Sequence, residues 1–182
     1  MDGYLFFESL DSEQRETLLR LTESNELGLR IAATTVTGSF SAFAAYCVDE
    51  PDEAARVLTA VEQRVGMPAR RLVALPPLRG LFPNRPPIYQ LDKPKYFALV
   101  ELVTAPGKEQ ALAQRADAAG ASGVAVVIGG GPSVLVEVDA ADEEQLAVMV
   151  DAIRGLGDLE RVDVLLSSPA LAAVNPAVRR SA

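Results

Sequence analysis

The sequence predicts an α+β protein built from two tandem ferredoxin-like βαββαβ units packed sheet to sheet. Three observations carry this expectation. The second half reads strand, helix, strand, strand, helix, strand; the first half repeats that order; and the strands are apolar on both faces. A single unit of this kind has helices on one sheet face only, so doubly apolar strands require a second cover.

The first unit is expected over residues 1–76. Tyr4–Glu8 (YLFFE) reads as a strand, and Asp11 with Gln14 three residues on forms a capping box for a helix to about Glu23. Leu27–Thr35 is extended, Thr37-Gly38-Ser39 turns the chain, and Phe40–Val48 returns. Pro51 opens a second helix whose Ala54, Leu58, Val61 and Val65 recur at helical spacing, and Gly66-Met67-Pro68 stops it. Leu72–Leu75 reads as the fourth strand. Residues 77–94, with Pro77, Pro83, Pro86, Pro87 and Pro94, read as a semi-rigid proline-rich linker.

The second unit is expected over 95–168, with 169–182 as a tail. Tyr96–Thr104 is a strand, Pro106 sits where a helix begins, and Gly120 ends that helix. Val124–Ile128 and Val134–Val138 flank the turn Gly129-Gly130-Gly131-Pro132. Asp142 and Gln145 cap the last helix, and Val162–Leu166 is the last strand. The halves align by eye: Tyr4 falls on Tyr96, and DEPDEAARVLTAVEQRVG on DAADEEQLAVMVDAIRGLG. An internal repeat of about 75 residues follows.

The strand faces say where each unit needs cover. Val134, Val136 and Val138 form a purely apolar face, as do Val162, Val164 and Leu166, and these belong under helices. The opposite faces, Leu135, Glu137, Asp139 and Arg161, Asp163, Leu165, mix charge with apolar bulk, which suits a surface buried against a partner with a polar rim. Self-association as a homodimer or higher assembly is the expectation. The tail from Leu171 to Val178 is the alternative cover for that face.

Composition narrows the chemistry. Net charge is −8 and the arginines are scattered, which argues against nucleic acid as a partner. No apolar run spans a membrane and no signal pattern opens the chain, so cytoplasm is the expected location. The single cysteine, Cys47, cannot form an internal disulfide and reads as a buried hydrophobe in a strand. The chain has no histidine, which removes imidazole general bases, imidazole metal ligands and Ser-His or Cys-His nucleophile systems. No metal site and no cofactor are expected.

The segment PGKEQALAQRADAAGASGVAVVIGGGPSVLVEVDAADEEQLAVMVDAIRGLGDLERVDVLL resembles the effector-binding domain of the Lrp/AsnC transcriptional regulators, a dimeric α/β-barrel family. The first half matches more loosely, through VTGSFSAF, and the family's helix-turn-helix is missing. The resemblance implies sheet-to-sheet pairing and binding of amino acids or related small metabolites near the hairpin turns. It therefore points to Thr37, Gly38, Ser39 and Ser41 in one hairpin and Gly129, Gly130, Gly131 and Ser133 in the other as ligand-binding residues. The family's usual Gly-x-Tyr-Asp hairpin is replaced here by Gly38-Ser39-Phe40-Ser41 and Gly131-Pro132-Ser133-Val134, so its acidic residue is absent. Glu8 and Glu101, at matching strand positions, are a candidate carboxylate pair across the sheets. The expected function is a non-enzymatic small-molecule-sensing or assembly module, and a protein partner is a further expectation. The alternative is a cofactor-independent dimeric α/β-barrel enzyme of monooxygenase or isomerase type.

Overall fold

Among the described residues two antiparallel sheets lie face to face, each with a pair of helices on its outer side. The computed structural model describes residues 2–48, 50–73, 96–127 and 131–174. The first unit comprises β1 (Asp2–Phe7), α1 (Ser12–Ser24), β2 (Leu29–Thr34), β3 (Ala42–Cys47), α2 (Pro51–Val65) and β4 (Arg70–Val73). The second comprises β5 (Tyr96–Thr104), α3 (Glu109–Ala118), β6 (Gly123–Val126), β7 (Val134–Ala140), α4 (Glu143–Arg154) and β8 (Leu159–Ser167). A short 3₁₀ turn, Pro169–Leu171, then leads into β9 (Ala172–Val174). The sheet orders are β4-β1-β3-β2-β9 and β6-β7-β5-β8, so the two units share the ferredoxin-like strand order. No described helix is long and apolar enough to cross a membrane.

Local chemistry explains the elements. Asp11 accepts from the Gln14 amide at 2.9 Å while the Gln14 side chain accepts from the Asp11 amide at 3.0 Å, completing the capping box of α1. Asp142 caps α4 through the Gln145 amide at 2.8 Å, although the Gln145 side chain reaches Ala141 instead of Asp142. Leu18 and Leu21 of α1 and Ala54, Val57, Val61 and Val65 of α2 cover one face of the first sheet. Leu112, Ala113 and Ala116 of α3 and Leu146, Val150 and Ile153 of α4 cover Val134, Val136 and Val138 in the second.

Three sequence expectations shift. The fourth strand, Arg70–Val73, begins two residues before the expected Leu72, because the Glu62 carboxylate takes the Ala69 amide at 2.7 Å and the chain extends at once. Pro106 does not open α3; Pro106 and Gly107 lie in a turn, Gly107 at φ 85°, and the helix starts at Glu109. The end of the chain is more than a tail, since Ala172–Val174 pairs with Ile31–Ala33 and extends the first sheet. The linker 77–94, Leu75, Gly129, Gly130 and residues 175–182 lie outside the described residues.

A third core fills the space between the sheets. Tyr4, Phe6, Phe43 and Ala45 from the first meet Phe97, Leu99, Leu135 and Leu165 from the second, with Phe43 and Phe97 ring centroids 5.5 Å apart. The mixed face Leu135–Glu137–Leu165 is thus covered inside the chain, so these residues supply no motive for a partner surface. The hairpin between β2 and β3 docks on β8. The Val36 amide donates to the Leu166 carbonyl at 2.9 Å, and the Thr37 hydroxyl donates to the Val164 carbonyl at 2.8 Å.

The hairpin closes on Gly38, at φ 93°, where a Cβ would stand 2.2 Å from the Leu165 side chain and 2.7 Å from the Val164 carbonyl. Gly28 also has positive φ, 69°, but faces open space. Gly28→Ala should cost about 1 kcal/mol of backbone preference, and Gly38→Ala about 1–3 kcal/mol more from overpacking. Urea unfolding of both variants checks this; equal losses would contradict the docked hairpin.

Candidate functional site

Glu101 is the residue that an apolar interface should not contain. It lies mid-strand on β5, on the face that meets the first sheet, and its side chain is 1% exposed. A buried carboxylate needs a partner, and Arg70 at the start of β4 reaches across to form an ion pair with it. The guanidinium rests over the rings of Phe6, at 5.0 Å, and Phe40, at 4.3 Å. Arg70 is placed by register, because it pairs with Phe6 across β1 and β4 and so shares its face. Asp163 stands opposite Glu101 on β8, and the Ser39 amide donates to its carboxylate at 3.1 Å.

Burial raises the Glu101 pKa above its ordinary value. Arg70 opposes that shift, Asp163 adds to it, and Arg161 pulls weakly against it. The result is a desolvated carboxylate that holds a proton more readily than in water while keeping a cation in contact. Such a group can take up a proton, and in its ionised form it has a cation beside it.

A second polar pair crosses the same interface. The Tyr4 hydroxyl donates to the Glu137 carboxylate at 2.5 Å, with Glu137 3% exposed. Gly123, opposite Glu137 on β6, leaves the room: a Cβ there would stand 2.2 Å from a Glu137 carboxylate oxygen. On the helix side of the first sheet, Arg71 donates through Nε to the Tyr46 hydroxyl at 2.9 Å, and burial raises the pKa of that phenol. Among the described residues no group of three acidic or cysteine side chains is placed to hold a metal ion.

The structure sorts the residues singled out in the sequence. Thr37, Gly38 and Ser39 form the hairpin tip against β8, next to Asp163 and Glu101. Ser41 braces the base of that hairpin, accepting from the Leu10 amide at 2.8 Å and donating to the Phe7 carbonyl at 3.3 Å. Ser133 holds the other hairpin to β5 through the Leu102 carbonyl at 2.8 Å and the Thr104 amide at 3.1 Å, and Gly131 beside it is exposed. Glu8 is exposed and does not meet Glu101; the partner is Arg70. Arg70 was missed because its role depends on which strand pairs with Phe6, and neither residue type nor spacing gives that.

No family model and no curated protein matches the sequence. Solved structures do match. The siroheme decarboxylase NirDL, in complex with an iron-uroporphyrin III analogue, superposes with a TM-score of 0.61 at 10% identity, covering 92% of this chain and 70% of that one. A chlorite dismutase-like protein gives 0.57 at 8% identity over 98% and 97% of the two chains. An anthrone oxidase-like protein gives 0.51 at 8% identity over 95% and 92%. The fold is therefore the ferredoxin-like α+β barrel; none of these neighbours singles out the Lrp/AsnC domain. They also correct the expectation of a non-enzymatic sensing or assembly module, and with it the leaning against an enzyme, because the neighbours are described as enzymes or enzyme-like. Lack of histidine removed imidazole chemistry, not acid–base chemistry, which a buried carboxylate can supply with an arginine as its electrostatic partner.

The raised Glu101 pKa has a signed consequence for stability. The folded chain binds this proton more tightly than the unfolded chain, so stability falls as pH rises from the ordinary glutamate pKa through the raised folded value. Relative to Glu101→Gln, the wild type should lose stability across that window and run parallel above it. Urea titrations at a series of pH values check this, and a wild-type advantage that grows with pH would contradict it.

Proposed function

We propose that the chain is a cofactor-independent enzyme of the dimeric α/β-barrel type, with Glu101 as general base and Arg70 as its electrostatic partner. The supporting observation is the buried Glu101 carboxyl, its pKa raised, in contact with a guanidinium at a sheet face. Glu101 takes a proton from an acidic C–H or phenolic O–H, the electron pair moves onto the substrate oxygen, and Arg70 stabilises that charge. An isomerase returns the proton to another carbon; a monooxygenase lets the anion react with dioxygen, one oxygen atom entering at carbon as a carbonyl and the other leaving as water with the two hydrogens that the substrate carbon gives up. Thr37, Gly38, Ser39 and Ser41 form the rim of this site in our reading, supported by the Ser39–Asp163 hydrogen bond and by Phe40 beneath Arg70.

A tetrapyrrole such as the one bound by NirDL is not assigned to this chain. There is no histidine to ligate iron, and the described inter-sheet space is filled by Phe6, Phe43 and Phe97. We divide the chain as 1–76, 77–94, 95–168 and 169–182, with β9 from the last segment serving the first unit's sheet. The Lrp/AsnC likeness of the second half is kept as a mark of shared ancestry within this fold. Self-association and a cytoplasmic location are also kept as proposals.

A panel of enolisable ketones and phenols tests the reading, with oxygen uptake and deuterium exchange at carbon as readouts. Glu101→Gln should lower turnover by about 10²–10⁴-fold while the far-UV spectrum stays native. Turnover equal to wild type in that variant, or no exchange and no oxygen uptake across the panel, would overturn it.

A further inference from the structure

The two partners of the ion pair are not equally placed. The Arg70 side chain is 32% exposed and that of Glu101 1%, so a molecule arriving from solvent meets the guanidinium first. The guanidinium is seated on Phe6 and Phe40, and those contacts do not depend on Glu101. Its fork is also unsaturated. Only Nη2 has a hydrogen-bond partner among the described residues, and Nε is buried without one. Nε is shut off from solvent, so the guanidinium meets a carboxylate or another delocalised oxyanion through its Nη edge.

We infer that Arg70 is the binding group for a small oxyanion carried on an apolar body, which exchanges with Glu101 for the guanidinium. This rests on reading the Glu101–Arg70 pair as the working end of the site. Phe40, at the edge of the core, supplies the apolar surface beside the anion, while the fully buried Phe6 supports the guanidinium from beneath. The charged groups around Glu101 are Arg70 on β4 and Asp163 and Arg161 on β8, with Glu137 buried on the adjacent strand β7. Once the ligand takes up the positive charge of Arg70, Glu101 is left beside Asp163 with its main counter-ion engaged elsewhere. It then takes a proton. Anion binding at Arg70 and protonation of Glu101 are thus one coupled event. This is the charge movement that a proton transfer from substrate to Glu101 would complete.

Benzoate is the probe, with benzamide as its neutral counterpart, and isothermal titration calorimetry in two buffers of different ionisation enthalpy is the readout. Benzoate should bind the wild type at least about tenfold more tightly than benzamide, and with proton uptake. Glu101→Gln removes the competing carboxylate, so benzoate should bind it about tenfold more tightly and without proton uptake. Arg70→Lys keeps the charge without the fork and should lose about tenfold. Equal affinity for benzoate and benzamide, no benzoate binding at tens of millimolar, or unchanged binding in Arg70→Lys would overturn the inference. Benzoate binding without turnover of any carbon acid or phenol would remove the proposed activity and leave this inference standing. Turnover that falls in Glu101→Gln without benzoate binding would do the reverse.

Discussion

Burying one carboxylate between two sheets imposes the main constraint on this molecule. An isolated charge in that position costs several kcal/mol, so the opposing sheet has to supply a cation, and it does so with Arg70. The ion pair fixes how the sheets face each other, since Arg70 can reach Glu101 only if the Phe6–Arg70 row lies over the Glu101–Asp163 row. The hairpin that docks on β8 adds Ser39 and Phe40 to the same cluster. Sheet packing and the candidate site are therefore one structure.

The two units differ most where the site lies. Ser41 and Ser133 donate to the Phe7 and Leu102 carbonyls, each at 2.8 Å, which puts Phe7 and Leu102 at equivalent places in the two units. By that register Phe6 corresponds to Glu101 and Arg70 to Asp163. One unit thus offers an aromatic ring and a cation where the other offers two carboxylates. Opposite chemistry at equivalent positions makes a complementary pair across the sheets, which two identical units could not do. A tandem chain is free to diverge in this way, whereas a symmetric homodimer must present each residue twice.

Much of the fold was legible in the residues. Capping at Asp11 and Asp142, helical spacing from Ala54 to Val65, and doubly apolar strands all report local or single-strand physics. The register between units was not. The by-eye match of Tyr4 to Tyr96 is three residues out, because Tyr4 is the third residue of β1 and corresponds to Leu99, whereas Tyr96 opens β5 one residue ahead of the position matching Asp2. Glu101 was visible as a carboxylate on an apolar strand, but its partner was sought at Glu8. The mixed face of Leu135, Glu137 and Leu165 was read as looking outward, since nothing in one strand says which sheet covers it. Cross-sheet contacts depend on packing angle and hairpin docking, and those appear only when both sheets are in place.

The coupling between Arg70 and Glu101 is measured most directly by a double-mutant cycle on folding stability at neutral pH, using Arg70→Met, Glu101→Leu and the double variant. Arg70→Met alone should cost up to about 3 kcal/mol, because it strands a buried carboxylate. The double variant should recover most of that loss, giving a coupling of at least about 1 kcal/mol. Strictly additive losses would mean that the two residues do not work as a pair across the sheets, and the site as described would not exist.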